Sequence, residues 1–391
     1  MADYYVAADG SDLASGSLSA PWKTIGRAMR TRLQPGDEVI VKAGTYHEAI
    51  LLDQDGAADN EIVIRSELPG AAKLRPPSKG TYSTFKIKAD YVAIRGFDVV
   101  GGGGHAIDVE EAHHVTIAGN IAHDSGGSGI SSSRSDWLTV EGNRVYGNAS
   151  TNGYQCSGIS LWQNRDLSDG DAPFRNIIRN NITYDNVQGP AIDWEHTDGN
   201  GIIIDGFQDT DYRYGTLIEG NVSYGNGGKG IHVFLSDHVT VRNNTVWHNN
   251  HDNLNEGTWR GELSNAIGSH NTWVNNIAVA NIETNNWNRA IIDVSTNGYV
   301  NRDVKWYNNV TFNGISGQAS ILSDRTAPSE ATGNLLGKDP LLANPLAGDF
   351  HLKAGSPAVN AGTAAFGLSS TDMDGQNRLN GSVDIGADEA L

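Results

Sequence analysis

The sequence predicts an all-β fold: a right-handed parallel β-helix with a short N-terminal capping helix. Three observations carry that expectation. First, a short unit recurs through the middle of the chain: an alternating strand, a Gly-Asn or Asn-Asn turn, and a second short strand. Gly119-Asn120, Gly142-Asn143 and Asn243-Asn244 sit at the centre of clear copies. Second, equivalent asparagines lie 23 residues apart, from Asn120 to Asn143 and again from Asn221 to Asn244. Third, a Gly-Ile element or a near variant recurs at Ala106-Ile107, Gly129-Ile130, Gly158-Ile159, Gly201-Ile202 and Gly230-Ile231. Three short strands and three turns in that length make one coil, and stacked coils rise by about 4.8 Å each. Alternation places Val, Ile and Leu inside, and asparagine in the turn tolerates left-handed backbone or bonds its own main chain. The chain has neither the Leu-x-x-Leu-x-Leu frame of a leucine-rich repeat nor a propeller blade of about 40 residues.

The elements follow in order. Ala2–Val6 reads as a strand, and Trp22–Met29 is amphipathic and predicts a helix. That helix belongs to a cap of about residues 1–70, covering the open end of a stack that would otherwise expose strand edges and core. Regular coils are expected over about residues 90–325. Beyond about residue 330 the asparagine turns fade, and the tail to residue 391 is expected to fold along or over the last coils. No linker interrupts residues 1–391, so the chain reads as a single domain.

Composition narrows the function. The 391 residues carry 28 Lys plus Arg against 46 Asp plus Glu, a formal net charge of −18. That balance excludes nucleic acid and anionic membrane as natural partners, because both need a basic face. No apolar run approaches the length of a membrane span. The single cysteine, Cys156, excludes an internal disulfide framework and a Cys-rich zinc site. With a strand starting at Ala2, either the chain is cytosolic or its signal lies outside it. A monomer is expected.

The interruptions of the repeat are informative. From turn Asn to following Ile the spacing is 10 residues for Asn120–Ile130 and Asn221–Ile231, 16 for Asn143–Ile159 and 21 for Asn181–Ile202. After Asn244 the next candidate is near Ile267, a spacing of 23. The insertions, roughly Gly147–Ser157, Asp185–Asn200 and Asn249–Ser264, enter the same turn and project from one side; Asp205–Gly215 leaves the other end of the strand. The coil bearing Lys229 has no insertion, so its neighbours wall a groove above it. Loops on a rigid scaffold are where function concentrates. One outward column reads His105, Ser128, Ser157, Asn200, Lys229, and the next reads Asp108, Ser131, Ser160, Ile203, His232. Facing them is a segment rich in acid: Asp193, Glu195, His196, Asp198 and then Asp205. Taken singly, a lysine near carboxylates is a surface ion pair and a histidine is structural. It is their convergence with the insertions that points to a site.

A long groove suits an extended polymer, and β-elimination on a uronic-acid polysaccharide would use these groups. The reaction neutralises the uronate carboxylate, removes the C5 proton and protonates the departing C4 oxygen. Lys229 is the expected base with His232 beside it, and Arg260 or a bound cation would neutralise the carboxylate. Tyr184 is a weaker candidate acid; its plainer reading is a ring stacked between Tyr146 and Tyr224. Asp193, Glu195, Asp198 and Asp205 are candidate ligands for Ca²⁺, a hard ion wanting six to eight oxygens. Trp194, His196, Asn200, Trp259 and Glu262 are expected to contact sugar. At a net charge of −18, an acidic polysaccharide would be repelled unless a cation or local bases screened it. Glycoside hydrolysis by two of the carboxylates and a non-catalytic adhesin binding glycans through exposed Trp remain open alternatives.

Tyr5–Asp12, Pro21–Ile25, Pro35-Gly36-Asp37 and Lys42–Tyr46 at the start, with Gly355–Ala358, Asp372–Gly375 and Val383–Ala387 at the end, resemble the pectin-lyase-like superfamily of parallel β-helix polysaccharide lyases. The similarity covers nearly the whole length. The paired-aspartate Asp-Asp-Gly-x-Asp motif of calcium pectate lyases is replaced by Gly228-Lys229-Gly230-Ile231-His232, which is closer to alginate- or glucuronan-type enzymes. The resemblance implies a secreted or periplasmic enzyme acting on an acidic glycan, with lyases and uronan C5-epimerases both within range.

Overall fold

The computed structural model describes residues 1–151, 155–190, 196–255, 258–296, 298–325, 327–378 and 381–390. Three strands per turn stack into three parallel sheets of 11, 10 and 11 strands, with every third strand adjacent in space. One coil is His105–Glu110, His113–Ala118 and Ile121–His123; the next is Ile130–Ser133, Asp136–Glu141 and Arg144–Tyr146. The register keeps like above like: Ile107, Ile130, Ile159, Ile202, Ile231 and Leu263 align in one inward column. All six are fully buried. The 10-stranded sheet that contains this column is called the front sheet below.

The turn dipeptide divides its labour. Its first residue takes left-handed backbone at Gly119, Gly142, Asn180, Gly220, Asn243, Asn275 and Asn308, with φ between 48° and 65°. Its second residue points inward and bonds to the next coil, and at Asn221 and Asn244 the side-chain amide also donates to a carbonyl of its own turn. The backbone N–H of Asn120 donates to Asn143 Oδ1 at 2.9 Å, Asn143 to Asn181 at 2.9 Å, and Asn181 to Asn221 at 2.9 Å. The side-chain amides donate along the same ladder and back to inner carbonyls. A turn that would otherwise bury unpaired amides is thereby satisfied.

The stack begins earlier than the sequence pattern indicates. Glu38–Val41, Gly44–His47 and Ile50–Leu52 already form one coil in register with the sheets. Their turns lack asparagine, so the repeat is invisible there while the pairing is intact. The capping helix is only Ile25–Met29; Thr24 caps it, Glu48 accepts from the N–H groups of Ile25 and Gly26, and Ile25 and Ala28 are buried. At the other end, the tail hairpin Leu342–Asn344 and Asp349–Leu352 lies over the third sheet. There Phe350 and Ile385 pack with Val222, Ile277 and Val310.

Candidate functional site

The front sheet builds the site. The outward column expected from the sequence is continuous and hydrogen-bonded. Ser128 N–H donates to His105 Nδ1 at 3.0 Å, Ser157 N–H to Ser128 Oγ at 3.2 Å, and Asn200 Nδ2 to Ser157 Oγ at 3.0 Å. Lys229 N–H then donates to Asn200 Oδ1 at 2.8 Å. Asn200 is therefore fully buried as a spacer beneath Lys229, and it does not present its amide to a sugar as the sequence reading expected.

Two inserted loops converge on Lys229. Its Nζ donates to the Thr197 carbonyl at 2.7 Å and to Thr258 Oγ1 at 2.9 Å, one partner from each loop. His196 and Asp252 tie the same loops together at 2.7 Å. Lys229, His232, Asp198, Asp205, Phe234 and Trp259 line a pocket of about 250 Å³. That is below the ~300–1,000 Å³ of a drug-sized site and suits one sugar unit of an open chain. Through Gln155 and Asp205 it continues into a cavity of about 540 Å³ on the N-terminal side. Through Thr258 and Trp259 it continues into one of about 850 Å³ on the other. The resulting groove crosses the strands from Ser83–Ile87 to Ile321–Ser323, roughly 40 Å at the strand spacing.

Burial sets the charges. The Lys229 ammonium is pushed down to about 8 by burial, a shift opposed by Asp198 and reinforced by the charge of Arg260. Burial likewise raises the Asp198 carboxyl, with Lys229 holding it back. Asp205 is raised to about 7 by burial and then by the neighbouring Asp198 and Asp209. His232 is driven well below its usual range by burial and by Lys229, so its ring is neutral. Its Nδ1 lies 3.4 Å from the Ser264 carbonyl. A carbonyl only accepts, so Nδ1 carries the proton and Nε2 keeps the lone pair. The pocket thus holds an amine that can lose a proton and a carboxyl that keeps one near neutral pH.

The remaining expected residues separate. Arg260 donates to Asn288 Oδ1 at 2.7 Å and to the carbonyls of Asp252, Asn255 and Asn250. Its guanidinium braces the loop wall and reaches the pocket through its field, rather than as a fork open to a carboxylate. Glu262 does not meet sugar. It belongs to the strand Gly261–Ala266, which begins before the loop end expected near Ser264, because inward Glu262 and Asn265 break the apolar alternation. Glu262 accepts from Asn249 N–H and Nδ2 at 3.2 and 2.6 Å, ending a second ladder that runs Asn148, Asn186, Asn226, Asn249. Tyr184 lies in the third sheet, stacked between Tyr146 and Tyr224 and bonded by Arg144. That is its plainer reading, and it stands outside the pocket lining.

Asp193, Trp194 and Glu195 lie outside the described residues. Of the four expected calcium ligands, Asp198 and Asp205 are left, both shifted toward the neutral form. Among the described residues neither joins a trio of His, Cys, Asp or Glu ligand atoms; the single trio is His351, Asp374 and Asp388 in the tail. Asp198 and Asp205 by themselves fall short of the six to eight oxygens that a hard cation wants. Thr197 and Thr258 are site residues the sequence did not signal, since their role depends on two loops meeting.

The likeness to known proteins agrees with this architecture. Over its full length the chain resembles the crystal structure of pectate lyase Pel9A, with a TM-score of 0.53 and 20% identity, covering 97% of that chain. A mannuronic-acid-specific family 6 polysaccharide lyase from human gut microbiota aligns with 84% of this chain and 69% of its own, at TM-score 0.51 and 18% identity. XylC in complex with xylose aligns over 100% and 98%, at TM-score 0.52 and 12% identity. At these identities the likeness is one of fold. No curated protein sequence matches the chain. The family model for the Pel9A-like right-handed β-helix region matches residues 4–309, a span that holds most of the coils and the central pocket, and the chain belongs to that family.

Proposed function

We propose that the protein is a polysaccharide lyase that cleaves a uronic-acid-containing polysaccharide by β-elimination. The observation that carries this reading is Lys229: a buried amine, lowered to about 8, at the floor of a groove long enough for a polymer. In its neutral form Lys229 takes the C5 proton. The electron pair left on C5 becomes the C4–C5 double bond, and the C4–O bond breaks. Asp205, holding its proton near neutral pH in the same pocket, protonates the departing oxygen. The neutral His232 accepts a sugar hydroxyl through Nε2. The fixed charge of Arg260 favours the anion that develops on the uronate without contacting it.

A second reading rests on Asp198 and Asp205, two carboxyls lining one pocket, which could serve glycoside hydrolysis. The two chemistries differ in product. Elimination leaves an unsaturated end that absorbs ultraviolet light, and hydrolysis leaves reducing ends without it. Alginate, pectate, glucuronan and uronate-containing heteropolysaccharides, each with and without chelator, should yield ultraviolet-absorbing product from at least one polymer. Reducing ends without absorbance would transfer the assignment to hydrolysis.

A further inference from the structure

We propose that the polymer in the groove places one uronate at Lys229 and neutral sugars on either side, so that the substrate is a heteropolysaccharide and not a homopolyuronate. The inference rests on the lyase reading of the same site. Four basic residues line the three connected cavities, Lys86, Arg134, Lys229 and Arg260, and each is engaged. Lys86 Nζ lies 2.5 Å from Glu110 and 3.4 Å from Asp108. Arg134 lies 2.9 Å from Glu111 and 3.4 Å from Glu110. Arg260 is bonded into the loop wall, and Lys229 faces Asp198. Asp108, Glu110 and Glu283 share the same lining, beside Asp198 and Asp205, whose carboxyls burial shifts toward the neutral form. The residues outside the described set contribute no Lys or Arg to the sequence.

A homopolyuronate carries a carboxylate on every sugar. Away from Lys229 and the field of Arg260, each one laid against the flanking lining would lose water without gaining a free cationic partner. The flanks offer a different surface. Tyr82 and Trp162, 59% and 41% exposed, line the N-terminal cavity, and Trp287, 72% exposed, lines the C-terminal one beside Trp259. Exposed aromatic rings on both sides of a polar centre suit the C–H faces of uncharged pyranoses.

The test compares sugar oligomers of equal length in chelator: oligogalacturonate, oligomannuronate, an alternating rhamnose–galacturonate oligomer, and a glucuronate repeat separated by three neutral sugars. Turnover is read by ultraviolet absorbance, and affinity by calorimetry on Lys229→Met at low and high salt. At least one heteropolymer should surpass both homopolyuronates by about tenfold or more in kcat/KM, and its affinity should change little with salt. Trp162→Ala and Trp287→Ala should each raise KM by about tenfold with kcat nearly kept. A homopolyuronate turned over as well as the heteropolymers, or KM unmoved in both Trp variants, overturns the inference while leaving the lyase reading intact. Heteropolymer binding without ultraviolet product from any sugar instead removes the lyase reading and supports the charge argument.

Discussion

His196 Nε2 lies 2.7 Å from a carboxylate oxygen of Asp252, joining the loop that leads into Ile202 to the loop that leads into Gly261. The same two loops supply the Thr197 carbonyl and Thr258 hydroxyl that hold the Lys229 amine. The groove wall and the grip on the amine thus draw on the same two loops through separate contacts.

Removing that tie should loosen substrate binding more than chemistry. His196→Ala is expected to raise KM by about fivefold, the value of one net hydrogen bond, with kcat nearly unchanged. Steady-state kinetics on the preferred polymer, alongside a melting curve, decides it. An unaltered KM would mean the pair is incidental.

Lys229→Met should lower kcat by about 10³-fold, within the range lost with a general base. The fold should persist although the residue is buried, because Asp198 is already displaced toward its neutral form and can take up a proton. Circular dichroism and single-turnover kinetics separate the two effects. Full activity would remove Lys229 from the mechanism.

The pH profile follows from the two shifts. Lys229 must be deprotonated, which favours pH above about 8, and Asp205 must be protonated, which favours pH below about 7. The required forms overlap in a minor population, so kcat/KM should rise up to about pH 7, stay level to about 8 and then fall. In Asp205→Asn the falling limb should vanish, and the break of the rising limb should move from about 7 to about 8, at a lower absolute rate. A variant that keeps the alkaline fall would assign that limb to another group.

Glu262 makes the stability of the solenoid depend on pH. Burial raises its carboxyl to about 8 in the folded protein, against 4.5 as the ordinary value. Between those values the native state binds a proton that the unfolded chain has released, so this group's contribution is present below about 4.5 and is lost as pH rises through 8. Glu262→Gln keeps the acceptor for Asn249 and removes the titration. Relative to the parent, it should gain on the order of a few kcal/mol at pH 8 and little at pH 5, as measured by urea unfolding. Parallel pH dependence in both proteins would contradict the assignment.

How much was legible in the sequence differs from residue to residue. Asn120, Asn143 and Asn221 announced the coil because each repeats its neighbour's environment, and the column from His105 to Lys229 followed from the same period. The first coils were hidden because Glu38–Leu52 pairs without asparagine turns, and Glu262 was misread because a polar residue at an inward position looks outward in an alternation pattern. Arg260 carried the right charge in the right neighbourhood, yet its partners Asn250, Asp252, Asn255 and Asn288 are spread over two loops that no local pattern relates.

The amino-acid order alone therefore determined the period, the inward faces and the side from which the inserted loops emerge, since these are properties of short segments repeated along the chain. Tertiary structure decided which loop atoms grip Lys229, which acid stays protonated and which cations are already engaged. Those outcomes depend on desolvation and on contacts between residues tens of positions apart, and both come into being only when the coils stack.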